Sequence, residues 1–236
     1  MKIVYEVTRN YYDKILPSIR SLLEHNAPEV IYVLAEDDEV PGLPDVCKVI
    51  NVSDQKWIRR NSPNWNNFFT WIILLRVCFT EVLPDCDKVI QMDADTIICD
   101  SLEPVWNTDV EGKWFAAVQE YEGLYKPYRN KYYNAGVMLM NLKQMREDGI
   151  TKTFLDEINT KKYRFPEQDI LNRFAVPEGK ATDLPVRYNE SFCCGYTLTP
   201  AVVHYAGVGN WYGNRSMYRW EYLFRYMKNT PPYPGK

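Results

Sequence analysis

The 236-residue chain lacks a dominant charge: its formal net charge is −3, and no block of like charge breaks the interspersed acids and bases. That removes the broad basic footprint on which nucleic-acid binding depends. Long apolar runs are missing too, since the longest, 71–75, stops at Arg76. The opening residues Lys2-Ile3-Val4-Tyr5-Glu6-Val7 are too short and too polar for a signal peptide. No membrane-spanning segment is expected, and the cytoplasm is the expected location. The six cysteines, Cys47, Cys78, Cys86, Cys99, Cys193 and Cys194, follow neither metal-ligand nor secreted-framework spacing and are expected to be reduced, mostly buried thiols. With no signal peptide expected, the three sequons at Asn51, Asn189 and Asn214 are expected to be chance matches. Nor is there a Ser/Gly-rich linker or an internal repeat, and the proline-rich stretches at 40–44 and 230–236 are short. One domain over residues 1–236, with one substantial core, is expected.

What is present is a regular succession of apolar segments. Residues 3–7, 30–34, 48–52, 89–92, 114–118, 136–140 and 202–204 read as strands. Asn10 reads as the cap of an amphipathic helix running to residue 23, with further helices at 151–159 and 167–174. Strand, helix, strand at this spacing is a βαβ unit, so the fold class is α/β with a parallel sheet flanked by helices. Residues 68–80 are apolar on every side of a helical wheel and predict a buried helix. Its one charge, Arg76, requires an anion, either a structural carboxylate or a ligand phosphate.

The chemistry concentrates at Lys88-Val89-Ile90-Gln91-Met92-Asp93-Ala94-Asp95-Thr96, where an apolar strand runs into two carboxylates spaced two residues apart. In extended backbone both point to one face, and their repulsion is relieved by a divalent cation. Asp85 and Asp87 make a similar pair at the amino end of the same strand. Because ligands collect at the carboxyl ends of strands in open α/β sheets, that upstream pair reads as a solvated turn. Two further polar clusters fall at carboxyl ends: Thr8-Arg9-Asn10-Tyr11, and His204 followed by Gly207 and Gly209. An imidazole joining two carboxylates suits Mn²⁺ better than Ca²⁺, and Mg²⁺ less readily. Tyr11 and Asn10 could stack on and read a flat ring, and the glycines would admit a phosphate oxygen to the backbone amides.

These residues lie within five ordered segments through which the chain resembles glycosyltransferase family 8, the retaining family that includes glycogenin and lipooligosaccharide galactosyltransferases. They are Cys86-Asp87-Lys88-Val89 through Asp93-Ala94-Asp95, Asp100-Ser101-Leu102-Glu103-Pro104-Val105-Trp106, Tyr133-Asn134-Ala135-Gly136-Val137, Gln168-Asp169-Ile170-Leu171-Asn172 and His204-Tyr205-Ala206-Gly207. The resemblance implies a GT-A fold, a Rossmann-like, mostly parallel sheet binding a UDP-sugar with Mn²⁺ on its diphosphate. It implies Asp93, Asp95 and His204 as metal ligands, with Asp93 also touching the ribose. Arg76 is implied in the donor pocket, and Val7, Thr8, Asn10, Tyr11, Ala94, Gly207 and Asn210 along the nucleotide. Asn134, Ala135 and Glu167 are implied at the sugar, and Gln168 against the face of the anomeric carbon opposite the leaving group. An amide is a poor nucleophile, so front-face displacement, with Gln168 stabilising positive charge through its carbonyl dipole, is the implied route. A glycan or glycoprotein acceptor would complete the reaction.

Three positions depart from the family pattern. Thr8 stands where an acid commonly reads the base, Glu167 where an Asp commonly precedes the Gln, and Asn210-Trp211 where Lys-Pro-Trp is expected, with Arg215 as a substitute cation. The departures motivate a rival, a nucleotide-sugar-binding relative without turnover. The tyrosines admit a self-glucosylating role. A haloacid dehalogenase phosphatase shares Asp93-Ala94-Asp95-Thr96, but its motif normally opens the domain and is followed by a later acidic pair that this chain lacks. The aromatic stretch 218–226 is expected as a terminal helix docking on the body, with contact to a glycan or membrane surface as its alternative use.

Overall fold

The computed structural model describes residues 1–121, 131–206 and 219–228. In chain order the elements are β1 (Lys2–Glu6), α1 (Ile15–His25), β2 (Val30–Ala35), β3 (Cys47–Asn51), a 3₁₀ helix (Trp71–Cys78), α2 (Phe79–Val82), β4 (Lys88–Met92), β5 (Thr96–Ile98) and α3 (Glu103–Trp106). There follow β6 (Phe115–Gln119), β7 (Tyr133–Asn141), α4 (Leu142–Glu147), α5 (Ile150–Thr160), α6 (Pro166–Ala175), β8 (Ala181–Asp183), β9 (Val202–His204) and α7 (Trp220–Lys228).

Seven strands form one sheet in the order β3-β2-β1-β4-β7-β6-β8, and β5 pairs with β9 in a separate antiparallel ribbon. Within the large sheet only β7 runs against its neighbours β4 and β6; the remaining pairs are parallel. This is the mixed, mostly parallel α/β architecture of the GT-A class. Alternation along β1 divides the core: Ile3 and Tyr5 pack with Ile15, Ile19 and Leu22 of α1, whereas Val4 faces the 3₁₀ helix, α5 and α6. Side chains fully buried on either face each contribute roughly 1.5–3 kcal/mol.

The chain leaves β1 outward through β2 and β3, then returns to place β4 on the other side of β1. That reversal opens a crevice at the carboxyl edge of the sheet. Because β7 is antiparallel to β4, its amino end, Tyr133 to Gly136, lies at the same edge as Met92. The carboxyl end of β6 reaches it as well, since β6 also opposes β7.

Two expectations require correction. Residues 68–80 do not form one helix: Phe68 is 93% exposed, and 3₁₀ winding begins at Trp71. Asn67 diverts the chain, accepting from the Phe69 amide at 2.5 Å while donating to the Asn64 carbonyl at 2.5 Å, which competes with helical pairing. Asn10 does not cap the first helix either; α1 begins at Ile15. The intervening loop is tied to the end of β2, where the Tyr12 hydroxyl accepts from the Glu36 amide and donates to Asp37.

The remaining elements fall within a few residues of expectation, while β5, β8, α2, α3 and α4 were not anticipated because they are too short to show a period. Asp85 and Asp87 are exposed, as expected of a turn. The six cysteines are unpaired, three buried and three half-buried. In α7, Leu223 and Tyr226 bury against Ile97, Val203 and Tyr205, so this helix docks on the body. Among the described residues no helix is long and apolar enough to cross a membrane.

Candidate active site

Asp93 and Asp95 lie in the turn between β4 and β5, and His204 ends β9, directly opposite Thr96. The ribbon pairing, extended by the Tyr205 amide donating to the Asp95 carbonyl at 2.9 Å, brings the imidazole over the carboxylates. His204 Nε2 stands 3.4 Å from Asp93 Oδ2 and 3.3 Å from Asp95 Oδ1. One ligand atom from each of the three residues falls within a 4.8 Å group. Burial would lower the imidazole pKa, but Asp95 and Asp93 outweigh it and push it up to about 10. The site therefore attracts positive charge.

The opposite ring nitrogen begins a relay whose polarity is set by backbone. The Gly136 amide donates to Asn134 Oδ1 at 2.9 Å, so Asn134 Oδ1 is an acceptor. Asn189 must then present Nδ2 to that oxygen, 2.8 Å away, and its own Oδ1 to His204 Nδ1 at 2.7 Å. His204 Nδ1 is accordingly protonated, leaving Nε2 turned to the carboxylates. On the other side Asn134 Nδ2 donates to Glu120 Oε1 at 2.8 Å. The Ala135 amide donates to Gln168 Oε1 at 2.8 Å, which turns Gln168 Nε2 to the same Glu120 oxygen at 3.0 Å. Gly136 is required here, because a Cβ would fall 2.0 Å from His204 Cε1 and 2.4 Å from its Nδ1.

Arg76, delivered by the 3₁₀ helix, is buried among three carboxylates. Its Nε donates to Glu6 Oε1 at 2.9 Å, its Nη2 reaches Asp93 Oδ1, and its Nη1 lies 3.6 Å from Glu167 Oε1 and donates to the Ala135 carbonyl at 3.1 Å. With its amide oxygen toward the guanidinium, Gln91 accepts from Nε and Nη2 and donates to the Ala135 carbonyl at 2.7 Å. Of the two anions foreseen for Arg76, the structure supplies carboxylates. Three acids around one cation exceed its charge: burial raises both Glu6 and Glu167 to about 7 against the pull of Arg76. Burial would raise Asp93 too, yet Arg76 and His204 hold it below the usual carboxylate range.

Glu120 Oε2 and Glu167 Oε2 are buried with no hydrogen-bond partner among the described residues. Glu120 and Glu167 adjoin Gln168, by a shared hydrogen bond and in sequence respectively. Buried acceptors without donors are costly unless a hydroxyl-bearing ligand supplies them.

At the β1 end, Val7 and Thr8 are buried, Tyr11 is half-buried and Asn10 exposed. The Thr8 hydroxyl donates to Asn10 Oδ1 at 2.6 Å, which leaves the Asn10 amide nitrogen to face outward. Glu36, at the end of β2, accepts from the Arg9 amide at 3.0 Å and from Trp71 Nε1 at 2.9 Å, placing a carboxylate against the residue that follows Thr8. Ala94 is half-buried between the two aspartates. Gly207, Asn210 and Arg215 lie outside the described residues, as does the sequon at Asn214. Asn189 is fully buried, which closes that sequon to modification in the folded chain.

Four residues of the site escaped the sequence reading: Glu6, Gln91, Glu120 and Asn189. Two carried a signal. Glu6 is an acid in an otherwise apolar strand, and Glu120 follows the carboxyl end of one. Gln91 and Asn189 carried none, because an amide takes its role from whichever group it meets.

A family model described as glycosyl transferase family 8 matches residues 2–210. Glycosyltransferase GlyD of Streptococcus pneumoniae is 28% identical over 75% of this chain and 20% of its own length. A lipopolysaccharide 1,2-glucosyltransferase of Escherichia coli is 27% identical over 48% of this chain and 35% of its own. The chain thus spans well under half the length of these curated relatives. Galactosyltransferase LgtC, solved with donor and acceptor sugar analogs, superposes with a TM-score of 0.70 at 22% identity, covering 99% of this chain and 98% of that one. That likeness carries the GT-A fold; the family match covers nearly all of the sheet and every side chain of the site described above. The chain belongs to glycosyltransferase family 8.

Proposed function

We propose that this glycosyltransferase moves a hexose from a UDP-sugar to a hydroxyl of a glycan or protein-linked sugar, with retention at the anomeric carbon and with Mn²⁺ held by Asp93, Asp95 and His204. The observation that carries the reading is the convergence of two carboxylates and an oriented imidazole at the β1/β4 crevice. Two oxygen donors and one nitrogen, with the far ring nitrogen fixed by Asn189, fit a borderline-hard divalent ion. Excess negative charge around Arg76 favours a cation there as well. When bound, the ion supplies Lewis-acid neutralisation of the charge that develops on the departing diphosphate.

The chain's own residues do the remainder. Val7, Thr8, Asn10 and Tyr11 line the nucleotide side of the crevice, with Ala94 toward the diphosphate; Gly207 and Asn210, which the family resemblance assigns to the nucleotide, lie outside the described residues. Asn134, Ala135 and Glu167 orient the sugar, and the unpartnered oxygens of Glu120 and Glu167 accept its hydroxyls. Gln168 sits beneath the anomeric carbon, where its carbonyl dipole stabilises oxocarbenium-like charge. The acceptor hydroxyl oxygen bonds to that carbon on the face the diphosphate leaves. Its proton passes to the departing diphosphate oxygen as the old bond breaks. Relatives that include a lipopolysaccharide glucosyltransferase support a hexose donor.

Slow hydrolysis of a panel of UDP- and GDP-sugars tests this. UDP release should require Mn²⁺, and Asp95→Asn should reduce it by about 100-fold or more, since a neutral amide oxygen replaces an anionic ligand. Turnover indifferent to chelator would sink the mechanism, and Mn²⁺-dependent UDP binding without turnover would make the chain an inactive relative. Proton linkage provides a second measurement. The imidazole of the ion-free protein keeps its proton up to about pH 10. Ligation must displace that proton, so Mn²⁺ affinity should rise by up to about tenfold per pH unit below that value. Calorimetry in buffers of differing ionisation enthalpy should count about one proton released per ion.

A further inference from the structure

The Asn189 link of the relay is anchored through the next residue in the chain. Glu190, its neighbour, is fully buried and carries a carboxylate. Glu190 Oε1 pairs with Arg219 Nε at 2.5 Å, and its Oε2 accepts from the Thr197 amide at 2.8 Å. Arg219 Nη2 donates in turn to the Thr197 carbonyl at 2.8 Å. Carboxylate and guanidinium thus clamp one peptide segment from both sides.

The same residue is stitched to the strand that bears the metal-site imidazole. The Glu190 amide donates to the Val202 carbonyl at 2.9 Å, and the His204 amide donates to the Glu190 carbonyl at 2.8 Å. Glu190 is therefore tied by backbone to His204 and by side chain to Arg219, which immediately precedes α7. Arg219 has a φ of 53°, the one positive φ outside glycine among the described residues. A long side chain adopts that conformation only where its surroundings impose it. Here the Tyr205 hydroxyl holds the Arg219 carbonyl at 2.9 Å, and the Arg219 Nη1 donates to the Tyr222 hydroxyl at 3.1 Å.

We propose that Arg219 is a positioning residue for the sugar-transfer site: by neutralising buried Glu190 it fixes Asn189, and through Asn189 the ring of His204. Docking of α7 and orientation of the metal-ligating imidazole are then one event. The consequence for turnover rests on the metal-dependent reading above; the consequence for the imidazole does not. Removing the guanidinium leaves a buried charge that is relieved by moving Glu190 toward water, and Asn189 moves with it.

The chain has two histidines, His25 and His204, so its imidazole resonances are readily separated. In ¹⁵N-histidine-labelled protein without metal, the His204 Nδ1 proton should be slowly exchanging, held by Asn189. Arg219→Gln should abolish that protection while leaving the His25 signals in place, and should weaken Mn²⁺ binding by about 10- to 100-fold. Combining it with Glu190→Gln removes the stranded charge, and this double variant should recover the protected proton and most of the affinity. Arg219→Gln that retains both the protected proton and wild-type affinity overturns the proposal. So does a double variant no better than the single one, because global damage would not be repaired by a second amide. Wild-type protein that binds no Mn²⁺ yet shows the expected pattern in its imidazole signals would refute the metal reading and support the positioning of His204 by Arg219.

Discussion

Gly136→Ala is expected to abolish sugar transfer, by about 100-fold or more, although the substitution adds a single methyl group. That methyl would lie 2.0 Å from His204 Cε1, 2.4 Å from Nδ1 and 2.9 Å from Asn134 Oδ1. None of these atoms is the end of a flexible side chain. The imidazole is buried and sits against two carboxylates, and Asn134 is fixed by Asn189 and Glu120. Relief requires displacing either the ring or β7 itself, at about 1–3 kcal/mol of stability. The loss of function should exceed what that destabilisation explains, because a displaced ring breaks the Asn189 contact and the alignment of Nε2 together. Gly112→Ala is the control: its φ of 67° makes alanine strained, but nothing lies within 4 Å of the added carbon. It should lower the melting temperature while Mn²⁺ affinity and turnover persist. Equal retention of Mn²⁺ affinity by both variants would show that close approach of β7 to His204 is not what the site needs.

Arg76→Met should be the most destabilising single change at the site, costing about 3–5 kcal/mol, a large part of the total for a chain of this size. It preserves volume and strands Glu6, Asp93 and Glu167 without their shared cation. The pH dependence gives the diagnosis. Burial already raises Glu6 and Glu167 from 4.5 to about 7, so between those values the folded chain holds more protons than the unfolded one. Their contribution is complete below pH 4.5 and is lost as pH rises through 7. Without the guanidinium both carboxyls move further up, so the variant should lose more stability at pH 8 than at pH 5 relative to wild type. Urea unfolding at the two pH values reads this directly, and an equal loss at both would contradict a charge-based role for Arg76. Arg76→Lys should restore part of the stability but little turnover, since an ammonium cannot span Glu6 and Asp93 with a planar fork.

How far these effects were legible beforehand differs from residue to residue. Asp93, Asp95 and His204 stood at strand ends as expected, and pairing of β5 with β9 brought them together. The strand of β5 itself went unread, because three residues carry no measurable period. For Arg76 the need for an anion was legible, while its identity was not. Glu6, Asp93 and Glu167 come from three different elements, and Gln91 completes their surroundings only through the turn of its amide. The helix expected over 68–80 fails because the Asn67 side chain outcompetes helical hydrogen bonding at its start, although the segment is buried as expected from Leu74 onward.

Sequence by itself determined the class of fold, since alternating and continuous apolar runs dictate which segments must be strands and helices. It also determined which carboxylates and which imidazole lie at the carboxyl edge of the sheet. Only the tertiary structure decided how those groups act. Register set His204 opposite Thr96, a glycine backbone amide fixed the polarity of the relay from Asn134 to Nδ1, and burial raised Glu6 and Glu167 beside Arg76. The physical reason is that strand formation follows from residues adjacent in the chain, whereas hydrogen-bond direction and pKa follow from groups that become neighbours only when the sheet is assembled.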